Sequence, residues 1–514
     1  MERATGLVCQ SFIAGVFVAA FVGRGCCSFL SSRPETNPNL YAPESSNAFW
    51  VSNQKKSSIA SPKSFEEKSL TPAGFKSGLG AQKIDHLINT ALNSNPELEA
   101  IWERTRIKAG TYGMSFSRYY PRIGFSSQDG YSRFMYSSIV PPGDNRLGSA
   151  NAQIGLEYSI SEFGRRKSEV AAARAALLSA NLDFNRKIEE IIFRVKKSFY
   201  ALAAAQEMVD AAKVNLEFAE TDLLSVSDRM KRGLSTLPDL KFAEERRARA
   251  KLDVDDAGAR RAEAQAALAV AVGVPSDANL KVGMLEEQEI PKSLGIEARA
   301  FIEQALNSRP DLKAEAERLK NSEAVEARAE AEFRPILSFG GYYNETQWWL
   351  NLHHPTPIPQ MGNAPVQTPY YSEAQPFYSA MFTLRWDLFN GFRRHNDLSR
   401  AKARVHSRED ILRLHELQII ADVWRAYFVF DAMRQKYNDA LKLWDAASES
   451  YDAYDKSYKE GLSNIVELMS AQRDLARARY TKILATADFL TASANVDYAV
   501  GVSSATWSRA ESTQ

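Results

Sequence analysis

Six histidines and three cysteines are the residues of this 514-residue chain best suited to metal or nucleophilic chemistry, and their placement supports neither. His86, His353, His354, His395, His406 and His415 form no zinc-protease helix motif and pair with no suitable ligand set. Cys9, Cys26 and Cys27 all fall within the first thirty residues, which leaves the rest of the chain without a disulfide framework or a thiolate metal site. There is no phosphate loop, nucleophile elbow or dinucleotide fingerprint, and Gly340-Gly341 reads as a glycine pair within a strand. No cofactor is implied, and the chain is not expected to be an enzyme. The acids that stand out belong to helix starts. Thr236-x-x-Asp239 and Asn464-x-x-Glu467 each place a carboxylate three residues after a capping side chain, where it satisfies helix-start amides. Each follows a Gly-Leu-Ser triplet, Gly233-Leu234-Ser235 and Gly461-Leu462-Ser463, whose glycine suits a left-handed helix end.

These twin turns belong to a longer duplication. Residues 91–98 read ALNSNPEL and residues 305–312 read ALNSRPDL, so Pro96 aligns with Pro310 at an offset of 214. Pro121 aligns with Pro335 at the same offset. The offset then becomes 228: Leu156-Glu157-Tyr158 matches Leu384-Arg385-Trp386, Arg165-Arg166 matches Arg393-Arg394, Val195 matches Val423, and Gly273 matches Gly501. The change of 14 places one insertion in the loop Asn344–Pro376, rich in Pro, Asn, Gln and aromatic residues.

Each copy has the same order of elements. A helix opens at Asn-Pro-Glu or Arg-Pro-Asp, where proline suits the first turn and the acid suits the N-terminal dipole. Two strands follow, then a very long helix, a tight turn and another helix. The first copy, 79–285, holds strands near 121–133 and 150–161 and helices over 165–232 and 236–272. The second, 286–503, holds strands near 335–344 and 377–389 and helices over 393–460 and 464–500, leaving a tail at 504–514. The long helices contain neither Pro nor Gly, and at 1.5 Å per residue each is about 100 Å long. Ile188, Ile191, Ile192, Val195, Phe199 and Leu202, then Ile419, Ile420, Val423 and Tyr427, follow coiled-coil spacing.

The strands alternate. Ile154, Leu156, Tyr158 and Ile160 oppose Gln153, Gly155, Glu157 and Ser159, and Phe382, Leu384, Trp386 and Leu388 oppose Met381, Thr383, Arg385 and Asp387. Such a pattern fits a membrane β-barrel, and equally a half-buried strand in a soluble sandwich. Glu157 and Arg385 hold equivalent polar-face positions, as charges facing water or as a pair across the wall.

The secretory N-terminus, with the glycine and aromatic content of the strands, favours the barrel. Hydrophobic residues make up 45% and charged residues 25%, and 64 Lys+Arg against 63 Asp+Glu give a net charge of +1, so no basic excess points to nucleic acid. Arg3, the apolar stretch Gly6–Gly23, and Gly23 and Gly25 before Cys26 read as a secretory signal over 1–25, with an uncleaved anchor and a lipid-modified Cys26 as alternatives. Residues 26–78, rich in Ser, Pro, Asn and Lys, read as a flexible tether. Four strands cannot close a barrel, for which about eight is the practical minimum. An open edge in lipid leaves costly unsatisfied backbone groups. The chain must therefore share its barrel with two, three or four copies of itself.

The duplicated NPEL/RPDL start, the stretch Trp386–Arg394 (WDLFNGFRR), and the Gly-Leu-Ser turns followed some forty residues later by Val-Gly resemble the TolC-type outer-membrane efflux family over nearly all the mature length. The resemblance implies a mainly α fold with a small β part: a homotrimer whose duplicated β-β-α-α units share a twelve-stranded outer-membrane barrel and a periplasmic α-barrel. It implies as partners a periplasmic adaptor (membrane fusion) protein, an inner-membrane pump of the RND, ABC or MFS type, and outer-membrane lipid. Gly233, Leu234, Ser235, Gly461, Leu462 and Ser463 would then dock the adaptor. Glu467 would ring the periplasmic aperture, with Ser470 where a second acid is common, and Tyr458 and Asp239 would hold the closed state by hydrogen bonds. Ser463 stands where that latch has a basic residue. A non-conducting secreted or periplasmic coiled-coil scaffold is the competing reading. It accounts for the helices but leaves the alternating strands unexplained.

Overall fold

The computed structural model describes residues 42–43, 45–47, 49–50, 83–134, 144–276, 278, 280–285, 297–353 and 370–501. The signal stretch 1–25, Cys26 and the tail 504–514 lie outside them. Elements follow in the order α1 (Ile84–Ser94), α2 (Pro96–Ser115), β1 (Arg122–Phe134), β2 (Asp144–Ser161), α3 (Arg165–Lys231), α4 (Leu237–Val272), α5 (Ala298–Ser308), α6 (Pro310–Ala331), β3 (Ile336–His353), β4 (Tyr370–Arg385), α7 (Arg393–Lys459) and α8 (Ile465–Val500). The duplication is visible in the lengths. Helices α3 and α7 each have 67 residues, α4 and α8 each have 36, and α1 and α5 each have 11.

A helix opens at each NPEL or RPDL motif, and a shorter helix not expected from the sequence precedes it in each repeat. Pro96 and Pro310 are first helical residues, and a proline pushes the residue before it out of the helical region. Asn95 (φ −73°, ψ 116°) and Arg309 (φ −56°, ψ 124°) accordingly break the chain between α1 and α2 and between α5 and α6.

Two compact units divide the described chain, one built from 108–176 and 319–408, the other from 39–107, 177–318 and 409–501. The first holds a single antiparallel sheet in the order β1-β2-β3-β4. Its strands differ from the sequence expectation. Strand β2 begins at Asp144 rather than near 150, β3 runs to His353 rather than 344, and β4 covers 370–385 rather than 377–389. Polar residues within the extended arms hid them, because pairing partners rather than apolar period hold those positions in the ladder. Trp386 and Leu388 thus lie beyond the last strand, and the Trp386 indole donates to the Phe333 carbonyl at 3.1 Å.

The second unit has the hydrophobic core. Phe184, Ile188, Ile191, Val195, Phe199 and Leu202 of α3 meet Leu87 and Ile88 of α1, Leu268 of α4 and Leu490 of α8, all buried. Ile419, Val423 and Phe430 of α7 pack with Phe489 of α8 and Ala305 of α5. Part of the stretch read as a free tether is docked here. The Trp50 amide donates to Asn185 Oδ1 at 2.8 Å, Asn185 Nδ2 donates back to the Trp50 carbonyl at 2.9 Å, and Trp102 Nε1 donates to the Pro43 carbonyl at 3.0 Å. An isolated run of Ser, Pro and Asn gives no apolar period, yet a few backbone hydrogen bonds are enough to seat it.

Candidate functional site

Both long helices end in the same hydrogen-bonded turn. The Gly233 amide donates to Met230 O at 2.9 Å and the Leu234 amide to Arg229 O at 2.8 Å. The Gly461 amide donates to Tyr458 O at 3.1 Å and the Leu462 amide to Ser457 O at 2.8 Å. This is the Schellman arrangement, which requires a left-handed residue; Gly233 has φ +75° and Gly461 φ +78°. The leucine after the glycine usually covers an apolar side chain one turn back, but here those places hold Arg229 and Ser457. Leu234 and Leu462 are accordingly 71% and 78% exposed. Neither leucine is covered by its own turn.

The acids close capping boxes. Thr236 Oγ1 accepts from the Asp239 amide, and Asp239 Oδ2 accepts from the Thr236 amide at 2.9 Å, Thr236 Oγ1 at 2.7 Å and Ser235 Oγ at 3.1 Å. The bonds from the Thr236 side chain and backbone hold the Asp239 carboxyl below its ordinary value. Asn464 Oδ1 accepts from the Glu467 amide at 2.9 Å, and Glu467 Oε2 accepts from the Asn464 amide at 3.2 Å. Ser463 Oγ donates to the Asn464 carbonyl at 3.3 Å, and Ser470 Oγ accepts from Arg473 at 2.9 Å. Arg473 therefore occupies the hydroxyl one turn after the cap.

Tyr458 and Asp239 do not bond to each other. Arg229 donates to the Tyr458 hydroxyl and lies over its ring, 5.0 Å from the centroid, while the Asp239 carboxylate serves its own turn. The first repeat thus supplies a basic partner for Tyr458 from Arg229, on the helix opposite Ser463. Behind the turns, Val226 and Ala243 of the first repeat are buried against Met469 of the second, joined by Leu223, Leu240 and Ile465.

A polar layer above this core escaped the sequence reading. Gln472 of α8 is buried; its Nε2 donates to Asp222 Oδ1 of α3 at 3.5 Å, and its Oε1 accepts from Arg246 of α4 at 3.3 Å. One side chain of the second repeat therefore bridges both helices of the first. Burial, with the nearby Asp455 charge adding to it against Gln472 and Arg246, raises the Asp222 carboxyl above its ordinary value. The available signal was a glutamine between Leu468 and Leu475 in an otherwise apolar seam.

The sheet is two-faced. The register places Ile123, Phe125, Ile154, Leu156, Phe339, Tyr343, Tyr378, Phe382 and Leu384 on one side. Gln128, Asn151, Thr346 and Gln375 line the other, where Asn151 Nδ2 donates to Thr346 Oγ1 at 3.1 Å. Phe382 and Leu384 are 71% and 65% exposed, so the apolar side is uncovered within the chain. Among the described residues β1 and β4 each pair on one side only. Glu157 lies opposite Arg122 and Gly340, whereas Arg385 lies opposite Ile336, so within one chain these two charges are not register partners.

A four-stranded sheet with a bare apolar face and two open edges, together with unbroken 67-residue helices, defines a subunit of a shared membrane β-barrel with a helical extension. The chain belongs to the outer membrane efflux protein family, whose match covers residues 87–274 and 301–502, one segment for each repeat. It is 26% identical over 442 residues to protein CyaE of Bordetella pertussis, covering 84% of this chain and 88% of that protein. It is 22% identical over 428 residues to the pyoverdine export outer membrane protein OpmQ of Pseudomonas aeruginosa, covering 82% of this chain and 85% of the other. The fold matches the outer-membrane channel OprN with a TM-score of 0.67 at 18% identity, over 81% of this chain and 89% of that one. The chain is thus an outer-membrane efflux protein, from a family of transport proteins rather than enzymes. Members of the family are trimeric channels of tripartite efflux and secretion systems.

Proposed function

We propose that three copies of this chain form a passive exit duct through the outer membrane, gated at the paired helix turns. The single observation that carries this reading is the sheet: an exposed apolar face and two unpaired edges are stable in lipid only when other copies complete the ring. Three chains supply twelve strands, above the practical minimum for closure. Gly233-Leu234-Ser235 and Gly461-Leu462-Ser463 would present their bare leucines to a periplasmic adaptor, itself coupled to an inner-membrane pump of the RND, ABC or MFS type. Glu467 would ring the aperture beside Ser470, with Tyr458 and Asp239 near the moving turns. The similarity to a pyoverdine export protein supports an export role without fixing the cargo.

Reconstitution tests the proposal. The purified chain should run as a heat-dissociable trimer and give discrete conductance steps in planar bilayers. A monomeric rod recovered without detergent would sink it in favour of a coiled-coil scaffold.

A further inference from the structure

Both hairpins of the sheet keep one register. Strands β1 and β2 pair from Arg122 with Glu157 to Phe134 with Asn145. The offsets of the duplication, 214 for the first strand and 228 for the second, carry those two pairs onto Ile336 with Arg385 and Trp348 with Glu373. Strands β3 and β4 form both pairs, and the pairs between them follow suit. The insertion lengthens the second hairpin without shifting this ladder.

A ring of such hairpins needs two kinds of junction. Within one chain β2 meets β3, the second strand of one repeat against the first strand of the other, with Gly155 opposite Tyr342. Between chains the corresponding strands are β4 and β1, which stand at the two edges of the described sheet. Strand tilt and stagger are linked in a closed barrel, so hairpins of one register share one tilt only if both junctions have the same stagger.

On the reading that copies share one barrel, we infer that β4 of one copy joins β1 of the next in the register that β2 and β3 already use. Adding 228 to Gly155 and subtracting 214 from Tyr342 sets Thr383 opposite Gln128 of the partner subunit. In the same ladder Leu384 meets Ser127 of the partner subunit, and Ala380 meets Tyr131 of the partner subunit. The two faces of the sheet agree with this register. A slip of one residue would turn every side chain of β1 to the wrong face. Here Leu384 and Ala380, on the apolar side, meet positions that share a side with Ile123 and Phe125, and Thr383 meets Gln128 on the polar side. A slip of two keeps the faces, and only the shared stagger excludes it.

The test fixes one cysteine and moves the other. Thr383→Cys is combined in the full chain with Ser126→Cys, Gln128→Cys or Gly130→Cys, all on the polar side, and the reconstituted proteins are oxidised with copper phenanthroline. Directly opposed residues lie about 4.5–5.5 Å apart, within disulfide reach, whereas partners two residues off lie about 7–8 Å apart and beyond it. Strands β2 and β3 separate β1 from β4 in one chain, so a disulfide between these positions joins two copies. Thr383→Cys with Gln128→Cys should give linked dimers and trimers about tenfold faster than either slipped pair, with the single variants oxidised alongside as blanks. The heat-dissociable trimer of each variant before oxidation reports the shared barrel separately. Faster linkage through Ser126→Cys or Gly130→Cys, or no linkage through any pair in a protein that runs as a trimer, would overturn the register and leave the duct standing. A monomer before oxidation would remove the shared barrel, and the register with it.

Discussion

Arg394 repeats in the second copy the contacts that Arg166 makes in the first. Arg166 donates to the Arg118 carbonyl at 3.0 Å and the Ile160 carbonyl at 2.7 Å, and lies 4.8 Å from the Tyr119 ring centroid. Arg394 donates to the Glu332 carbonyl at 3.3 Å and the Leu388 carbonyl at 3.2 Å, and lies 5.2 Å from the Phe333 ring centroid. Every one of these partners is related by the offsets of the duplication. Each guanidinium ties the turn before the first strand of its repeat, and the end of the second strand or the chain just beyond it, to the start of the long helix. Lysine keeps the charge but cannot span both carbonyls. Arg394→Lys should therefore cost about 1–3 kcal/mol in denaturant unfolding, and the same change at Arg166 should cost a similar amount.

Gly273 and Asn95 meet so closely that a Cβ on the glycine would lie 2.9 Å from the Asn95 Cα, at a φ of +83°. Asn95 Nδ2 also donates to the Ala271 carbonyl at 3.0 Å, and in the second copy Arg309 donates to the Ala499 carbonyl at 3.2 Å beneath Gly501. Each repeat thus fastens its last helix to the break between its first two. Gly273→Ala must move backbone atoms as well as strain its own, so we expect a loss of roughly 2–4 kcal/mol. At Gly501 the nearest atom is Arg309 Cγ at 3.2 Å and the nearest backbone atom is Arg309 Cα at 3.4 Å, both looser than the contact at Gly273. Gly501→Ala should cost less, and equal melting temperatures for the two variants would refute this account.

The helices, their caps and the duplication are legible in the sequence because they depend on local chemistry: no Pro or Gly over 67 residues, then Gly, then Thr or Asn three before an acid. The four-strand count follows from the same repeat. The strand ends at Asp144, His353 and Tyr370 do not, because pairing across the sheet sets them and polar side chains mask the period. Asn95 and Arg309 as chain breaks needed the proline rule applied to the preceding residue. The Gln472 bridge and the Arg229–Tyr458 contact join residues more than two hundred positions apart, and no local pattern reports such a meeting.

Two half-buried acids should respond to pH in opposite senses. Burial alone would raise Asp311, but hydrogen bonds from Arg309 and the charges of Arg186, Arg309 and His415 hold it at about 2. A carboxyl depressed from about 3.9 contributes stability that is complete above that value and is lost as pH falls through about 2. Asp311→Asn should flatten the acid limb of the stability curve below pH 4 and lower stability at neutral pH. Asp222 is raised by burial, so its ionised form costs stability in the folded chain, and that cost is relieved as pH falls through its folded value. Asp222→Asn should raise the melting temperature at pH 7 and remove the gain on mild acidification. A lower melting temperature at pH 7 would show that the Gln472 bond outweighs the burial cost.

Gln472→Ala removes the side chain that joins α8 to α3 and α4, and leaves Asp222 and Arg246 without it. The loss should be about 1–3 kcal/mol, with greater hydrogen exchange at the turns around Gly233 and Gly461 than in the core near Phe199. Uniform exchange across both regions would assign Gln472 to general packing instead of to holding the two hairpins together.

Glu467 closes a capping box, and it is also the acid proposed to ring the aperture. The two roles separate by substitution. Glutamine at the third helical position can still accept the Asn464 amide, so Glu467→Gln keeps the cap and removes only the charge. Alanine removes both. If the carboxylate faces the duct, Glu467→Gln should reduce the cation selectivity of single channels while unfolding stays as in the parent chain. Glu467→Ala should show the same change of selectivity together with a loss of about 1 kcal/mol of helix-start stability. Unaltered selectivity in both variants, with only the alanine destabilised, would confine Glu467 to its cap. Aperture selectivity would then have to come from other exposed groups of α8, and Arg473, seated on the Ser470 hydroxyl one turn above, would be the first to substitute.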